Sequence, residues 1–377
     1  MRIQQSTAQH LGRVTITVFI GLMVSCSAEN PRTRSSPEVV VVRESDVVDF
    51  EILPQPKIKG KSRSNQIWCA TIGLAWRALI DKTIKSPIQV QPPLTQEMVN
   101  ELNSDFTQGI VSPESFVVFG GPPTQGNYDA VARELQQKFG PSAPKPSFGV
   151  REMGEAFVGY AYLSKDLPFE VPFENHDNGF TFNEGSKSVA CFGLKSDSKA
   201  PRDQERRAQV KAHCDSKAPL YPREFVLELS IKGGTEKLLL MSIPKSTTLW
   251  KSWLAGKTFI QQHPARSVDN AAKVIIPKFN LDLATSFSNL QGTKIANPGW
   301  SDFEIAGLHQ GIRLSLLETG AQVDSDAFVN LAAAIESAHS FVVQQPFLLA
   351  LLEKDASRPY LLAWFGNDLL LATNQDH

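Results

Sequence analysis

The stretch "FVVQQPFLLAL", residues 341–351, places apolar residues on both sides of Gln344, Gln345 and Pro346. Its second half is a continuous apolar run of the kind that forms a fully buried strand. Directly upstream, "LLETGAQVDSDAFVNLAAAIESAHS" starts like a strand, meets Gly320, and continues for about twenty residues that begin acidic and end rich in Ala. Most connections in compact domains are roughly 4–6 residues long, and long ordered loops tend to carry function. We therefore expect a functional loop between two buried strands.

The C-terminal half of the chain alternates short apolar runs with Gly, Pro, Asn and Asp, which is typical of strands. The candidate strands are "FVGYAYL", "GFTF", "SVACFGL", "FVLELSI", "KLLLMSI", "KVIIPKF", "IRLSLLE", "PFLLALLE" and "PYLLAWFG". Gly233 and Gly234 are predicted at or near a hairpin turn. Before these strands, "NQIWCATIGLAWRALIDKTI", "LTQEMVNELNSDF" and "NYDAVARELQQKFG" show helical patterns. Helices first and strands later predict an α+β fold.

In order and spacing, these strands resemble those of the serpin family. "FVVQQPFLLAL" satisfies every position of that family's C-terminal signature, and "EKDASRPYLLAWFG" is similar to its last turn and buried strand, with Asn367 in place of the usual basic residue. "VIIPKFNLD", "FVLELSIKGGTEKLLLMSIPK" and "YAYLSKDLPFEVPFE" resemble earlier serpin strands. The resemblance covers residues 156–372. It implies a helical N-terminal part, shorter than usual in the family, packed on large, mostly antiparallel or mixed sheets with an exposed loop.

By this resemblance, the segment after Gly320 is the reactive-centre loop, which inhibitory serpins offer to a serine protease as bait. The resemblance assigns a hinge to Glu318, Gly320, Ala321, Asp324 and Asp326. After cleavage the loop inserts into the main sheet, and alternate side chains become buried. Unpaired carboxylates on the inward face would each cost several kcal/mol. The acidic hinge therefore leaves two readings open, a serine-type endopeptidase inhibitor and a non-inhibitory protein-binding module.

The family spacing places the scissile bond in a short apolar run, which consists of Leu331, Ala332, Ala333, Ala334 and Ile335. Small apolar residues suit an elastase-like or subtilisin-like protease, whereas no Lys or Arg lies between Gly320 and Phe341 for a trypsin-like enzyme. We expect cleavage as a substrate somewhat more readily than trapping of the protease, with little gain in thermal stability.

The first 26 residues are predicted to be a signal peptide, because Arg2 and Arg13 precede the apolar run "VTITVFIGLMV". The run ends in "LMVSC", which resembles a bacterial lipobox and makes Cys26 the candidate lipidation site. Residues 27–63 read as a tether and residues 64–377 as one domain. We expect an exported protein in the cell envelope, anchored to the membrane by its lipid, or alternatively secreted or periplasmic.

The net charge and the cysteines argue against other classes of protein. Removing the signal moves the formal net charge from −1 to −3, which gives no footprint for nucleic acid. Cys191 and Cys214 flank a polar stretch and could form a disulfide, while Cys69 allows a remote papain-like alternative. The spacing around Cys69 favours a buried core residue instead. We expect no enzyme activity, no metal and no cofactor.

Overall fold

The structure, a computed structural model, describes residues 14–20, 40–43, 49–61, 64–91, 96–152, 156–185, 187–196, 201–215, 217, 221–320 and 340–373. Its α-helices are α1 (Thr71–Leu79), α2 (Gln96–Asn103), α3 (Gln125–Phe139), α4 (Pro201–Ala208) and α5 (Leu249–Gln262). Its strands are β1 (Val14–Ile20), β2 (Val40–Arg43), β3 (Phe50–Ile52), β4 (Asn65–Cys69), β5 (Phe116–Gly121), β6 (Ala156–Leu163), β7 (Glu174–Thr181), β8 (Ser188–Leu194), β9 (Val210–His213), β10 (Phe225–Ser230), β11 (Glu236–Ser242), β12 (Arg266–Ser267), β13 (Val274–Pro277), β14 (Phe279–Ser286), β15 (Thr293–Lys294), β16 (Phe303–Leu316), β17 (Phe341–Val342), β18 (Phe347–Glu353) and β19 (Leu361–Phe365). Within the described ranges, no helix is both long and apolar enough to cross a membrane.

The first sheet has seven strands in the order β2-β14-β16-β1-β6-β5, with β15 also paired to β16. β16 is its longest strand, and β14 pairs with it in the antiparallel direction from Phe279↔Leu316 to Ser286↔His309. α1 crosses β5 and β6 at Gly120 and Gly159. A Cβ at Gly120 would lie 2.2 Å from the Ala78 carbonyl oxygen, so the two glycines let the helix backbone lie directly on the sheet.

The second sheet has eight strands in the order β12-β9-β10-β11-β18-β19-β4-β3. Its strands β18 and β19 are buried along nearly their whole lengths. Phe365 of β19 stacks on Phe347 of β18 and on Phe279 of β14, with ring centroids 4.8 Å apart in each pair. These rings join the second sheet to the first. The third sheet, β17-β13-β8-β7, has four strands.

The α+β class is confirmed: helices pack on large mixed sheets. The predicted hairpin is also confirmed, since β10 and β11 pair in the antiparallel direction. Gly233 and Gly234 lie in its turn at φ values of 80° and 63°.

Two segments differ from what their sequences predict. The stretch that begins at Asn65, predicted to be helical, first forms β4, which pairs with β19, and the helix starts only at Thr71. Part of the predicted tether, β3, lies in the second sheet beside β4, and Phe50 and Ile52 are almost fully buried. The folded domain therefore includes residues that precede Ser64. Both strands are short and fully buried even at their polar residues, so their sequences give no clear strand signal.

Candidate functional site

The described part of the predicted hinge lies where β16 ends. Glu318 and Gly320 follow the strand directly, and residue 320 is the last one described before residue 340. Other predicted site residues lie outside the described residues: Ala321, Asp324, Asp326, Leu331, Ala332, Ala333, Ala334, Ile335 and the lipidation candidate Cys26. The site can therefore be built from the two ends of the loop and from the sheet beneath it.

The chain reverses direction immediately after β16. The Leu317 amide donates to the Gly320 carbonyl at 3.0 Å, and the Gly320 amide donates to the Leu317 carbonyl at 3.2 Å. This reciprocal pair closes a tight turn with Glu318 and Thr319 at its corner. At Gly320 the chain therefore runs antiparallel to β16.

Gly320 also bridges to the segment that follows β6. It forms an antiparallel bridge with Pro168, and the neighbouring Phe169 amide donates to the Thr319 carbonyl at 3.1 Å. Gly320 has φ 109°, and a Cβ there would lie 2.6 Å from Pro168 Cα, the Leu167 carbonyl oxygen and the Phe169 nitrogen. Only glycine fits this position, because the backbone conformation and the space both exclude a side chain.

Glu318 holds the turn through a partly buried ion pair. Its carboxylate accepts from Lys278 Nζ at 2.6 Å and from Asn175 Nδ2 at 3.2 Å. Burial alone would raise the pKa of Glu318, but the Lys278 ammonium outweighs burial and holds that pKa below its usual value. Lys278 follows β13 and Asn175 lies in β7, so the ion pair joins the hinge to the third sheet.

The other end of the loop returns to the third sheet. Ser340 is the first residue described after the loop. β17 then pairs in parallel with β13 through Val274↔Phe341 and Ile275↔Val342. Residues 321–339 therefore connect the end of the first sheet to the edge of the third sheet.

A cavity of about 60 Å³ lies between the ends of β6 and β16 and the second sheet. Leu163 and Leu167 line it near β6, Leu314 and Leu316 line it from β16, and Tyr360 lines it from the second sheet. Its lining is mostly apolar but also includes Lys165 and Arg313.

A charged cluster lies beside this cavity. Lys165 Nζ donates to Glu236 and, at 2.7 Å, to Glu353, and Glu353 also accepts from Ser112. Burial would lower the pKa of Lys165, but the two carboxylates outweigh it and raise that pKa. Burial raises the pKa of Glu236 and, together with the nearby Glu236 carboxylate, the pKa of the buried Tyr360 hydroxyl. The cluster ties the end of β6 to the second sheet.

The structure places Cys69, Cys191 and Cys214 in buried positions with free thiols. Cys191 and Cys214 are both free and buried, so no disulfide clips the stretch between them. Cys69 is fully buried at the end of β4, and burial raises the pKa of its thiol. A raised thiol pKa disfavours the nucleophilic thiolate, which argues against the papain-like alternative. In the described ranges, no group of His, Cys, Asp and Glu residues could hold a metal ion.

Several of these site residues were not singled out by sequence reasoning. Lys278 and Pro168 lay inside the stretches "VIIPKFNLD" and "YAYLSKDLPFEVPFE", but nothing local indicated that they would meet the hinge. Their contacts join residues far apart in the chain, which spacing alone does not reveal.

No protein-family profile and no curated protein matches this sequence. Solved structures similar to the chain include Serpin48 from the insect Tenebrio molitor, at 12% identity and a TM-score of 0.45, covering 84% of this chain and 93% of that one. Tengpin, a thermophilic serpin in its native state, matches at 10% identity and a TM-score of 0.45, covering 81% and 89%. Thyroxine-binding globulin in complex with thyroxine matches at 12% identity and a TM-score of 0.48, covering 82% and 93%.

Proposed function

We propose that the chain is an exported serpin-type protein that presents residues 321–339 to a serine endopeptidase and takes the cleaved loop into its first sheet. The proposal rests on this chain's own strands and hinge, because the structural similarities are too distant to carry it.

One observation carries the proposal: Gly320 already lies between the two strands that would flank an inserted loop. It bridges Leu317, which follows β16, and Pro168, which follows β6, in the antiparallel direction on both sides. A strand that continued from Gly320 would run between β6 and β16, the position that β1 occupies beside residues 303–310 of β16. β1 belongs to the segment that we propose is removed on export. The cavity of about 60 Å³ lies at the first step of that path.

The loop is long enough to fill this path. A strand rises about 3.3 Å per residue, so residues 321–339 can extend over roughly 60 Å. β16 spans fourteen residues, which is about 46 Å at the same rise. After a cut within residues 331–335, roughly a dozen residues remain attached to Gly320, enough to pair with most of β16.

A second function follows from the acidic hinge. Asp324 and Asp326 are two residues apart, so in a strand both point to the same face. If that face were the buried one, insertion would be unfavourable and the protein would act as a non-inhibitory protein-binding module. If the face were outward, Ala321, Val323 and Ser325 would be buried instead, and inhibition would remain possible.

The purified protein mixed with elastase-type and subtilisin-type proteases tests both functions. An inhibitor gives a covalent adduct that survives SDS, because the acyl-enzyme is trapped before hydrolysis. A binding module gives either no cut or a simple cut in the loop. Trypsin is the matched control, since it should leave the loop of the natural chain intact.

A variant of the loop provides a second test with trypsin. Ala334→Arg supplies a basic residue in the predicted scissile run, so trypsin should now cut the loop or be trapped there. Resistance of this variant to trypsin, together with resistance of the natural chain to elastase, would show that residues 331–335 are not presented as bait.

We further propose that the protein is exported and anchored to the membrane through a lipid on Cys26. The support is the lipobox-like "LMVSC" after an apolar run in the first 26 residues. Durable anchoring needs about two lipid chains, so Cys26→Ser should move the protein from the membrane fraction to the soluble fraction. Unchanged membrane association of Cys26→Ser would contradict lipid anchoring.

A further inference from the structure

Residues 55–61, which the sequence predicts to be part of a tether, form part of the folded surface. The Pro56 carbonyl accepts from the Trp250 amide in the first turn of α5, at 2.9 Å. A Cβ on Gly60 would overlap the Glu51 carboxylate of β3, so the backbone of this segment lies directly against the second sheet. The segment is therefore packed on the domain and does not act as a free linker.

Three lysines of this segment lie on its outer side. Lys57, Lys59 and Lys61 are exposed, whereas Ile58 and Gly60 between them are partly buried. This alternation of exposure places the three ammonium groups together at the surface.

Arg358 extends this basic surface from a distant part of the chain. Its guanidinium lies 5.4 Å from the centroid of the Phe106 ring, and Lys57 Nζ lies 5.2 Å from the same centroid. The two cations are therefore neighbours. We call Lys57, Lys59, Lys61 and Arg358 the basic strip.

The positive charge of the basic strip is concentrated and unneutralised. Across the residues that the structure describes, none of its four cations forms an ion pair. In the sequence, residues 54–64 contain four basic residues and no acidic one, although the formal net charge of the chain is −1. Neighbouring cations repel one another, and a partner of opposite charge offsets that repulsion. The strip thus fits an anionic surface.

We infer that the basic strip docks the domain on an anionic lipid bilayer. The candidate lipidation site Cys26 lies about thirty positions before Lys57, and a flexible chain of that length has an end-to-end distance of roughly 30 Å. The membrane that holds the lipid is then the nearest anionic surface, and the inference rests on the proposed anchoring only for this choice of partner. Each Lys or Arg close to such a bilayer strengthens binding about fivefold.

Chemical labelling of lysines tests the docking on the protein as it exists. The protein is reconstituted in vesicles of phosphatidylcholine with or without phosphatidylglycerol, or mixed with them if it carries no lipid, and is then acetylated briefly. Labelling of Lys57, Lys59 and Lys61 should be about fivefold slower on the anionic vesicles, and concentrated salt should remove the difference. Equal labelling of these lysines on both kinds of vesicle would overturn the docking.

Two charge-matched variants separate the basic strip from general attraction by net charge. The strip variant carries Lys57→Gln, Lys59→Gln and Lys61→Gln. The control replaces three lysines that are exposed elsewhere on the domain: Lys145→Gln, Lys187→Gln and Lys232→Gln. Both also carry Cys26→Ser, so that no lipid contributes, and sedimentation measures the ratio of the affinities for anionic and neutral vesicles. This ratio should fall on the order of a hundredfold in the strip variant and stay within about threefold in the control.

The outcomes that contradict the docking are distinct. Equal falls in the two variants would mean that net charge alone attracts the protein to the bilayer. Binding of the natural chain to dextran sulfate, with no preference for anionic vesicles, would mean that the partner is an anionic polymer and not a membrane. If the strip variant does not fold, the labelling of the natural chain decides by itself. Slower labelling on anionic vesicles by a protein without a lipid on Cys26 would support the docking and contradict only the anchoring.

Discussion

The two halves of β16 face the same neighbour, β6, in different ways. Its lower half, residues 303–310, is separated from β6 by β1 and lies within a continuous sheet. Its upper half, residues 311–316, is paired with β14 on one side and borders a cavity of about 60 Å³. Among the described residues, no strand lies between this upper half and β6.

The two halves of β16 are therefore held in place by different kinds of contact. Near the upper half, the fold is held by contacts outside the strand pairing: the Lys278–Glu318 ion pair, the Gly320–Pro168 bridge and the Lys165 cluster. The lower half is held by strand pairing itself. A change at the top should thus alter whether the loop starts to insert, and a change at the bottom should alter whether insertion is completed.

The largest expected effect is on thermal stability after cleavage. In the processed chain, from which the leader segment is absent, elastase cleavage within residues 331–335 should raise the melting temperature by tens of degrees, because the cleaved loop can then pair with β6 and β16. Calorimetry before and after cleavage measures this rise. A slight rise would instead support the acidic hinge as the barrier to insertion.

The second effect concerns the ion pair at the hinge. Lys278→Met leaves the partly buried Glu318 carboxylate without its cation and should destabilise the protein by about 3 kcal/mol in urea unfolding. The matched control is Arg77→Ala, which breaks an ion pair whose side chains are 46% and 48% exposed and should cost no more than about 0.5 kcal/mol. Similar losses in the two variants would mean that the hinge pair contributes little.

The contribution of the Lys278–Glu318 pair to the stability of the fold should depend on pH. Because Lys278 holds the pKa of Glu318 below its ordinary value of 4.5, the pair stabilises the fold above that value. The contribution is lost as the pH falls through the lowered pKa of Glu318. Lys278→Met should lack this acid component. A natural chain with the same acid profile as Lys278→Met would show that another carboxylate is responsible.

The sequence predicts the individual strands and turns better than the contacts between distant segments of the chain. The strands, the hairpin at Gly233 and Gly234, and the place of the loop follow from apolar runs and turn residues, which are local signals. β4 was missed because its side chains are all buried, so that "NQIWC" shows no alternation. β1 was recognised only as part of an apolar leader segment.

The site was predictable only in part, for a related reason. Glu318 and Gly320 were named from the resemblance, but Pro168 and Lys278 become hinge residues through contacts over more than 30 positions of the chain. Such contacts depend on how the sheets pack, which the spacing of one sequence does not specify. The pairing of residues 14–20 with β16 and β6 is another contact of this kind.

The third effect distinguishes two reasons for glycine at position 320: the lack of space for a Cβ and the positive φ. Gly320→Ala should destabilise the protein by about 2 kcal/mol, because the new Cβ meets backbone atoms of the segment after β6 at a positive φ. Gly234→Ala also has a positive φ but meets nothing within 4 Å, so it should cost about 1 kcal/mol. Equal losses would mean that the close approach to Pro168 is unimportant.

The smallest effect is expected at the floor of the cavity, where Cys69 lies. Cys69→Ala removes only a buried sulfur atom next to existing empty space and should cost about 1 kcal/mol. Because burial raises the pKa of this thiol, we expect it to take no part in chemistry, so cleavage of the loop and any adduct with elastase should be unchanged. Urea unfolding and the protease assay on the same preparation measure both properties. The loss of a hydrolase activity in Cys69→Ala, at near-natural stability, would revive the papain-like alternative. A gain in adduct formation would instead show that the size of the cavity limits the first step of insertion at the upper half of β16.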